Sequence, residues 1–182
     1  IGGLHGMSTN EVYDPIKNNW QDAANMPVPR SGLPANAVIK RRIFIMGGWN
    51  SNGILIVNMA FNPRSNRWKE RAPMPTRRFD LACAVVNNRI FAIGGDGNRG
   101  VSAAVEMYNP QRNIWIRRAN MPTARTGPGC AVFDGKIYVI GGRDRNFNYL
   151  GVNECYDPLT DPWTTVAPMP TPRSFPACVE LE

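Results

Sequence analysis

The sequence predicts an all-β fold assembled from about four copies of one small antiparallel sheet. Three observations predict it: glycine and proline are abundant, the apolar runs are short, and the same landmarks return at a period of about 47 residues. Glycine (17 residues) and proline (16 residues) form helices poorly, which excludes a long-helix or coiled-coil protein. Because 43% of the 182 residues are hydrophobic and only 19% are charged, the chain can bury a core and is not a disordered protein.

The apolar runs are too short for a membrane protein. They end within about six residues, whereas a helix that crosses a bilayer needs about 20. The chain starts at Ile1 without an initiator methionine or a signal-peptide pattern, so we expect the natural start to be missing. The sequence therefore predicts a soluble protein with no membrane partner.

Four landmarks keep the same order in every repeat: a glycine doublet, an aromatic-Asx-Pro triplet, a tryptophan seven residues after that aromatic, and a Met-Pro pair with an arginine four residues after its methionine. The doublets start at Gly2, Gly47, Gly94 and Gly141, the triplets at Tyr13, Phe61, Tyr108 and Tyr156, the tryptophans are Trp20, Trp68, Trp115 and Trp163, and the arginines are Arg30, Arg78, Arg125 and Arg173. Agreement of four landmarks over four repeats predicts a repeat architecture.

Within one repeat the local patterns predict four strands. Apolar residues 130–133 form the first, an Asp-Gly pair makes a hairpin, and apolar residues 137–140 form the second. Residues 152–156 form the third strand, and the fourth starts near Trp163. Such a sheet has two apolar faces and cannot stand alone, so radial repetition against neighbouring sheets predicts a β-propeller.

The predicted sheets, or blades, make up a single domain. Their boundaries are 1–29 together with 174–182, 30–77, 78–124 and 125–173. Pairing of the C-terminal strand with the N-terminal blade would close a four-bladed ring. A fragment of a longer ring fits the sequence equally well, and the oligomeric state is left open.

The order arginine, apolar strand, hairpin, Gly-Gly, Glu-x-Tyr-Asp-Pro, tryptophan and Met-Pro resembles the kelch repeat over essentially the whole chain. The repeat at 125–172 matches best, and the second departs, because Met59 stands where the other repeats have Glu11, Glu106 and Glu154. Any contact that this glutamate makes is therefore in question in the second repeat. The resemblance implies a kelch-type β-propeller, more often of six blades, most like the adaptors of the BTB-kelch family that present substrates to cullin-type ubiquitin ligases.

Basic residues dominate one side of the predicted ring. The net charge is +7, with 21 lysines and arginines against 14 acids, and most of the basic residues are arginine. The loops after the glycine doublets and the connections between blades lie on one side, which we call the loop face. The arginines expected on or near it are Arg30, Arg71, Arg77, Arg78, Arg99, Arg117, Arg118, Arg125, Arg143, Arg145 and Arg173, against the acids Asp80, Asp96 and Asp144. The basic run 40–42 falls on a hairpin of the opposite face.

Arginine together with aromatic residues around a concave mouth is typical of a binding hot spot. The kelch resemblance implies that arginines at the end of the blade connections, and aromatics after the glycine doublets, bind acidic motifs of a partner. The candidate partner-binding residues are therefore Arg30, Arg77, Arg78, Arg125, Arg173, Ser31, Ser174, Trp49, Asn98, Arg99, Arg143, Phe147 and Tyr149. The alternative is that arginines after Met-Pro are solvated or stack between blades.

The partner predicted by this pattern is an acidic protein or peptide segment. Arginine suits bidentate recognition of carboxylates, whereas few lysines and no groove-reading element argue against nucleic acid. By the kelch analogy, the module recognises substrates for a cullin-type ligase. A carbohydrate-active kelch protein resembling a sialic acid mutarotase, and an actin-binding or structural scaffold, are the alternatives.

The sequence offers little for catalysis. One histidine, His5, excludes histidine-based metal clusters and the usual nucleophile-base pairs, so we expect no enzyme activity, no cofactor and no metal site. Cys83, Cys130 and Cys178 share one repeat position, where neighbouring copies should stand too far apart to bridge. We expect all four cysteines to be reduced, which together with the kelch resemblance favours a cytoplasmic protein.

Overall fold

The computed structural model describes residues 8–32 and 35–179. The regular structure of these ranges is entirely β-strand, as the sequence predicted. The strands are β1 (Asn10–Asp14), β2 (Asn19–Ala23), β3 (Ala35–Ile39), β4 (Arg42–Met46), β5 (Trp49–Asn50), β6 (Gly53–Ile54), β7 (Asn58–Asn62), β8 (Arg67–Arg71), β9 (Ala82–Val86), β10 (Arg89–Ile93), β11 (Asp96–Gly97), β12 (Gly100–Val101), β13 (Val105–Asn109), β14 (Ile114–Arg118), β15 (Gly129–Phe133), β16 (Lys136–Ile140), β17 (Asn153–Tyr156) and β18 (Trp163–Val166). Over these ranges, nothing long, helical and apolar enough to span a bilayer is found.

The strands form repeated antiparallel sheets in which chain neighbours pair. The second sheet has the order β3-β4-β7-β8, the third β9-β10-β13-β14 and the fourth β15-β16-β17-β18. Strands β1 and β2 pair as a first hairpin. The predicted pairing of strand 174–182 with strand 1–4 cannot be followed, because residues 1–7 and 180–182 lie outside the described ranges, so the closure of the ring and the division into blades stay predictions.

Two short hairpins were not predicted. Strands β5 and β6 pair after the first described glycine doublet, and β11 and β12 pair after the next. Each strand has two residues, too few to show an alternating pattern. Both hairpins lie in the loops between the second and third strands of their sheets.

The tip of each inner hairpin adopts a two-residue turn with positive φ. In the fourth sheet Asp134 and Gly135 have φ of 48° and 68°, and the third sheet uses Asn87 and Asn88. Asparagine, aspartate and glycine tolerate this left-handed conformation better than other residues. The second sheet instead has Lys40 and Arg41 at its tip, with φ of 48° and 61°.

The core lies between successive sheets. The ring of Phe44 packs edge-on against Tyr108 of the next sheet, with ring centroids 5.9 Å apart. The following junction repeats this contact between Phe91 and Tyr156 at the same distance of 5.9 Å. Each junction is closed at its outer end by a tryptophan, since the indole of Trp115 donates a hydrogen bond to the carbonyl oxygen of Ala72 at 2.8 Å. Aromatic side chains therefore pack between successive sheets.

The glycine doublets allow the connections to pass close to the sheets. Gly47 has a φ of 70°, and a Cβ atom there would lie 2.4 Å from the carbonyl oxygen of Arg78. Gly94 has a φ of 63° and would meet the carbonyl oxygen of Arg125 at 2.7 Å. Positive φ and close backbone approach explain the doublets.

The cysteines Cys83, Cys130, Cys155 and Cys178 are all free. Burial raises the pKa of Cys83 to about 12, so its thiol is protonated at neutral pH. Among the described residues, no group of three or more side chains could hold a metal ion.

Candidate functional site

Backbone bridges tie the loops of the predicted loop face to the connections between sheets. Isolated antiparallel β-bridges pair Ser31 with Trp49, Phe79 with Asp96, and Thr126 with Arg143. In each case the residue after the Met-Pro-x-x-Arg motif meets the residue after the glycine doublet. The loops and the connections therefore share one side of the molecule, as the sequence predicted.

The arginine of the motif turns away from that surface and crosses into the sheet. The carbonyl oxygen of Arg78 accepts a hydrogen bond from the backbone N–H of Gly48, at 2.9 Å, in the preceding sheet. Its guanidinium donates to the carbonyl oxygens of Gly94 (2.8 Å) and Ala104 (2.9 Å) in its own sheet. It also forms a buried ion pair with Glu106 at 2.7 Å. One residue thus joins two successive sheets.

Arg125 repeats this arrangement one sheet further along. Its guanidinium donates to the carbonyl oxygens of Gly141 (3.2 Å) and Val152 (3.1 Å) and forms an ion pair with Glu154. Thr123 donates a hydrogen bond to the other oxygen of the same carboxylate, at 2.7 Å. Burial lowers the pKa of Arg125, while the charge of Glu154 opposes that shift.

Arg30 departs from the pattern because the second sheet has Met59 in place of the glutamate. Its Nη1 donates to the carbonyl oxygens of Gly47 (2.9 Å) and Val57 (3.2 Å). Its Nη2 is buried and has no hydrogen-bond partner among the described residues. Burial without a facing carboxylate lowers the pKa of Arg30 to about 10.

These positions correct the expectation that the motif arginines bind a partner. Arg30, Arg78 and Arg125 are at most 1% exposed, and Ser31 is 2% exposed. Their guanidinium groups instead donate hydrogen bonds to backbone carbonyl oxygens within their own sheets. Arg173 is exposed, and Ser174 next to it is half-buried. Only the last motif arginine therefore remains open to solvent within the described ranges.

Two further arginines expected on the loop face also lie elsewhere. Arg71 donates hydrogen bonds to the hydroxyl of Tyr108 at 3.0 Å and to the carbonyl oxygen of Pro110 at 2.7 Å. Arg118 makes the same contacts with Tyr156 and the turn of the fourth sheet. Both side chains therefore reach the Asx-Pro turn of the next sheet.

The loop face nevertheless brings three other arginines together. Arg77, Arg99 and Arg117 line a cavity of about 420 Å³ between the connection after the second sheet and the β11-β12 hairpin. We call these three residues the arginine cluster. Asn98 lines the same cavity, and no acidic residue is among its described lining residues. Arg77 is held in place by a 2.8 Å hydrogen bond from its Nη1 to the carbonyl oxygen of Ile54.

Aromatic side chains flank the loop of the fourth sheet. The guanidinium of Arg143 lies 4.9 Å from the ring centroid of Phe147, a cation-π contact. Phe147 is 71% exposed and Tyr149 is 63% exposed. The loop is shaped by Asp144, which accepts hydrogen bonds from Asn148, and these lower the pKa of its carboxyl group. Two predicted aromatics are thus available for contact.

Trp49 occupies the corresponding loop of the second sheet. Its side chain is 43% exposed and packs against Gly32, where a Cβ atom would lie 2.7 Å from the indole ring. The neighbouring Asn50 donates a hydrogen bond to the carbonyl oxygen of Pro29 at 3.1 Å. The loops of all three four-stranded sheets therefore present side chains on the same side.

Arg117 was on the loop face in the sequence analysis but was not chosen as a candidate binding residue. It lies two residues after Trp115 on β14, at an exposed position of the outer strand. The sequence signal that could have found it is the alternation of side chains along a strand: residues two apart lie on the same face, so Arg117 shares a face with Trp115. The structure adds the proximity to Arg77 and Arg99.

Repeated four-stranded antiparallel sheets that pack face to face, with their loops gathered on one side, define a β-propeller. The chain belongs to the kelch-repeat family: a family model described as the KLHDC2/KLHL20/DRC7 Kelch-repeats domain matches residues 1–181.

Curated relatives and a solved structure agree with this assignment. Kelch-like protein 15 of Danio rerio is 39% identical over 66 residues, which are 36% of this chain and 11% of that protein. Kelch-like protein 7 of Rattus norvegicus is 36% identical over 80 residues, 43% of this chain and 13% of that protein. Kelch-like ECH-associated protein 1A of Danio rerio is 37% identical over 81 residues, 41% of this chain and 13% of that protein. The matched part therefore spans a small fraction of each relative.

The solved structure of YjhT aligns with a TM-score of 0.76 at 16% sequence identity. The alignment covers 94% of this chain and 68% of that one. This likeness supports the fold.

Proposed function

We propose that this kelch domain is a protein-interaction module that binds an acidic segment of a partner at the arginine cluster of its loop face. The observation that carries the proposal is the cavity of about 420 Å³ lined by Arg77, Arg99 and Arg117 without an acidic residue among its described lining. Three guanidinium groups around one concave site attract carboxylates and can bind them in a bidentate manner.

The surrounding loops support a protein ligand. Phe147 and Tyr149 are mostly exposed, and Trp49 is partly exposed. Aromatic and arginine anchors carry much of the binding energy in protein interfaces. In a longer polypeptide, substrate recognition for a cullin-type ubiquitin ligase is the role that we propose by analogy with the Kelch-like relatives.

A binding experiment tests the arginine cluster. Peptides of about 12 residues, each with a Glu- or Asp-rich centre, would be selected against the wild-type chain, and the best binder titrated by fluorescence anisotropy. We expect the double variant Arg77→Glu/Arg117→Glu to bind at least about tenfold more weakly, because two attractive contacts become repulsive.

The matched control variant has the same change of net charge, but at positions outside the loop face. Arg112 and Lys136 are exposed residues at the turn and hairpin ends of the third and fourth sheets. Arg112→Glu/Lys136→Glu should bind like wild type. Equal binding by the cluster variant and the control would refute the proposal. Faster anomer exchange of sialic acid in the presence of the chain, followed by NMR, would instead favour the carbohydrate-active alternative.

A further inference from the structure

The side opposite the loop face carries a second concentration of positive charge. Three neighbouring cavities, of about 430, 330 and 640 Å³, open around the second sheet, and Arg42 lines all three. The exposed cations along them, which we call the basic groove, are Lys40, Arg41, Arg42, Arg64, Arg67 and Lys69. No described residue that lines these cavities is acidic.

Five of the six cations belong to the second sheet and not to the repeat, since only Arg42 has cations, Arg89 and Lys136, at the equivalent positions. Where Arg64 follows the proline of the Asx-Pro turn, the third sheet has Gln111 and the fourth has Leu159. Where Lys69 follows the repeat tryptophan, the equivalent residues are Ile116 and a threonine. The repeat architecture therefore does not require these five cations.

The hairpin tip shows that the charge is kept at a cost to stability. Lys40 and Arg41 have φ of 48° and 61°, in a turn that the third sheet builds from Asn87 and Asn88. Long side chains disfavour the left-handed region, which asparagine and glycine accept more easily. Backbone strain of this kind persists chiefly at functional sites. The second sheet thus accepts a less stable turn and presents two cations there.

We propose that the basic groove binds an acidic protein segment, at a site separate from the arginine cluster. Four of its six cations are arginines, which suit planar, bidentate contact with carboxylates. Apolar side chains lie beside the charges, since Val38 is 64% exposed and Ile43 is half-buried. Together they fit a segment that alternates carboxylates with apolar residues.

A nucleic acid fits the same groove less well. Single strands are bound by stacking bases on open aromatic faces. The aromatic residues that line these cavities are Phe44, which is 2% exposed and packed against the next sheet, and Trp68. The indole of Trp68 packs on Phe61 and donates a 2.6 Å hydrogen bond to the carbonyl oxygen of Ala24. Neither ring offers a free platform for a base.

The experiment isolates the groove from the loop face. The full chain with Arg77→Glu/Arg117→Glu serves as background, so that a failure of the proposed function does not affect the result. The probes are a fluorescein-labelled 12-residue peptide of alternating glutamate and leucine and a 12-nucleotide oligouridine, titrated at about 150 mM salt. We expect the background chain to bind the peptide, and the added pair Arg42→Glu/Arg64→Glu to weaken binding at least tenfold.

A matched control and a stability measurement complete the test. The pair Lys136→Glu/Arg145→Glu changes the net charge equally in the fourth sheet and should leave binding unchanged. The variant Lys40→Asn/Arg41→Gly should bind the peptide at least threefold more weakly and yet unfold at a higher temperature, because the turn is relaxed. Opposite changes of affinity and stability cannot come from misfolding. Equal peptide binding with and without the groove cations, or tighter binding of oligouridine than of the peptide, would overturn the proposal.

Discussion

The arginines of the repeat are internal connectors between sheets. The backbone of Arg78 belongs to the connection that the preceding sheet contacts, while its guanidinium enters its own sheet and meets Glu106. Burying a cation costs less free energy when it is paired with an anion and hydrogen-bonded. The second sheet shows what happens without the pair, since Arg30 keeps its carbonyl contacts and leaves Nη2 without a partner among the described residues.

The first prediction compares two arginines at equivalent repeat positions. Arg125→Ala should lower the free energy of unfolding by about 3–5 kcal/mol, because it leaves the carboxylate of Glu154 buried without its cation. Arg173→Ala should change it by no more than about 0.5 kcal/mol, since this side chain is exposed. Urea denaturation measures both. An equally large loss for Arg173 would mean that its side chain is buried in the folded chain.

The second prediction restores the missing pair in the second sheet. Thr76 and Thr123 each stand two residues before a motif arginine and donate to the carboxylate that it binds. The second sheet has Val28 at that position and Met59 at the glutamate position, so both partners are lost together. Val28→Thr/Met59→Glu should therefore stabilise the chain by more than the sum of its single changes.

A double-mutant cycle measures this coupling. We expect about 1–3 kcal/mol in favour of the double variant, because each single change leaves one group of the network unsatisfied. Met59→Gln with Val28→Thr is the neutral control and should give a smaller coupling. A coupling near zero would show that Arg30 is satisfied in another way.

Each sheet is closed at its outer edge by contacts with the turn of its neighbour. The indole of Trp163 donates to the carbonyl oxygen of Ala119 at 2.9 Å, as Trp115 does to Ala72 at 2.8 Å. The same alanine backbones donate their N–H groups to Asp161 and Asn113. The aromatic-Asx-Pro turn and the tryptophan of one sheet therefore both hydrogen-bond to the backbone of the preceding sheet and hold the two sheets together.

The third prediction tests the indole hydrogen bond with an almost isosteric change. Trp115→Phe removes the indole donor and should cost about 0.5–1.5 kcal/mol for the lost hydrogen bond, plus a smaller packing loss. Trp20→Phe is the matched control, because the side chain of Trp20 is 67% exposed. Thermal unfolding should show a lower midpoint only for the first variant. Similar unfolding midpoints for the two variants would mean that the indole hydrogen bond does not stabilise the junction and that apolar packing alone does.

In the molecule as a whole, the sheets differ in how much of each face is covered. Ile39 and Val86, which end the first strands of the second and third sheets, are each 6% exposed, whereas Phe133 at the same place in the fourth sheet is 57% exposed. The side chain of Tyr13 in the first hairpin is 44% exposed, although its equivalents Tyr108 and Tyr156 are fully buried. At these two positions the first hairpin and the fourth sheet are therefore less covered than the sheets between them.

The fourth prediction uses this difference. Val86→Ser should destabilise the chain by about 2–3 kcal/mol through the loss of buried apolar contact and the burial of a hydroxyl. Phe133→Ser should leave the free energy of unfolding nearly unchanged and should reduce self-association measured by light scattering, because it removes an exposed apolar side chain. A large destabilisation by Phe133→Ser would indicate that this face is covered in the folded chain.

Local sequence patterns were sufficient to predict most of the fold. The hairpin dipeptide 134–135, the apolar strands beside it and the Asx-Pro turns each depend on residues close in sequence, so their spacing alone predicted four-stranded sheets. The hairpins β5-β6 and β11-β12 escaped prediction because strands of two residues carry no periodic signal. The absence of a carboxylate partner for Arg30 was also visible in the sequence, from Met59 at the glutamate position.

The sequence by itself determined the kelch repeat, the all-β sheets and the side on which the loops gather. Only the tertiary structure decided where the arginines point. The guanidinium of Arg78 binds carbonyl oxygens 16 and 26 residues away, and these become neighbours only after the sheet has formed. The same long-range packing separated buried arginines from exposed ones and brought Arg77, Arg99 and Arg117 around one cavity. Burial and convergence depend on residues distant in sequence, and repeat spacing does not record them.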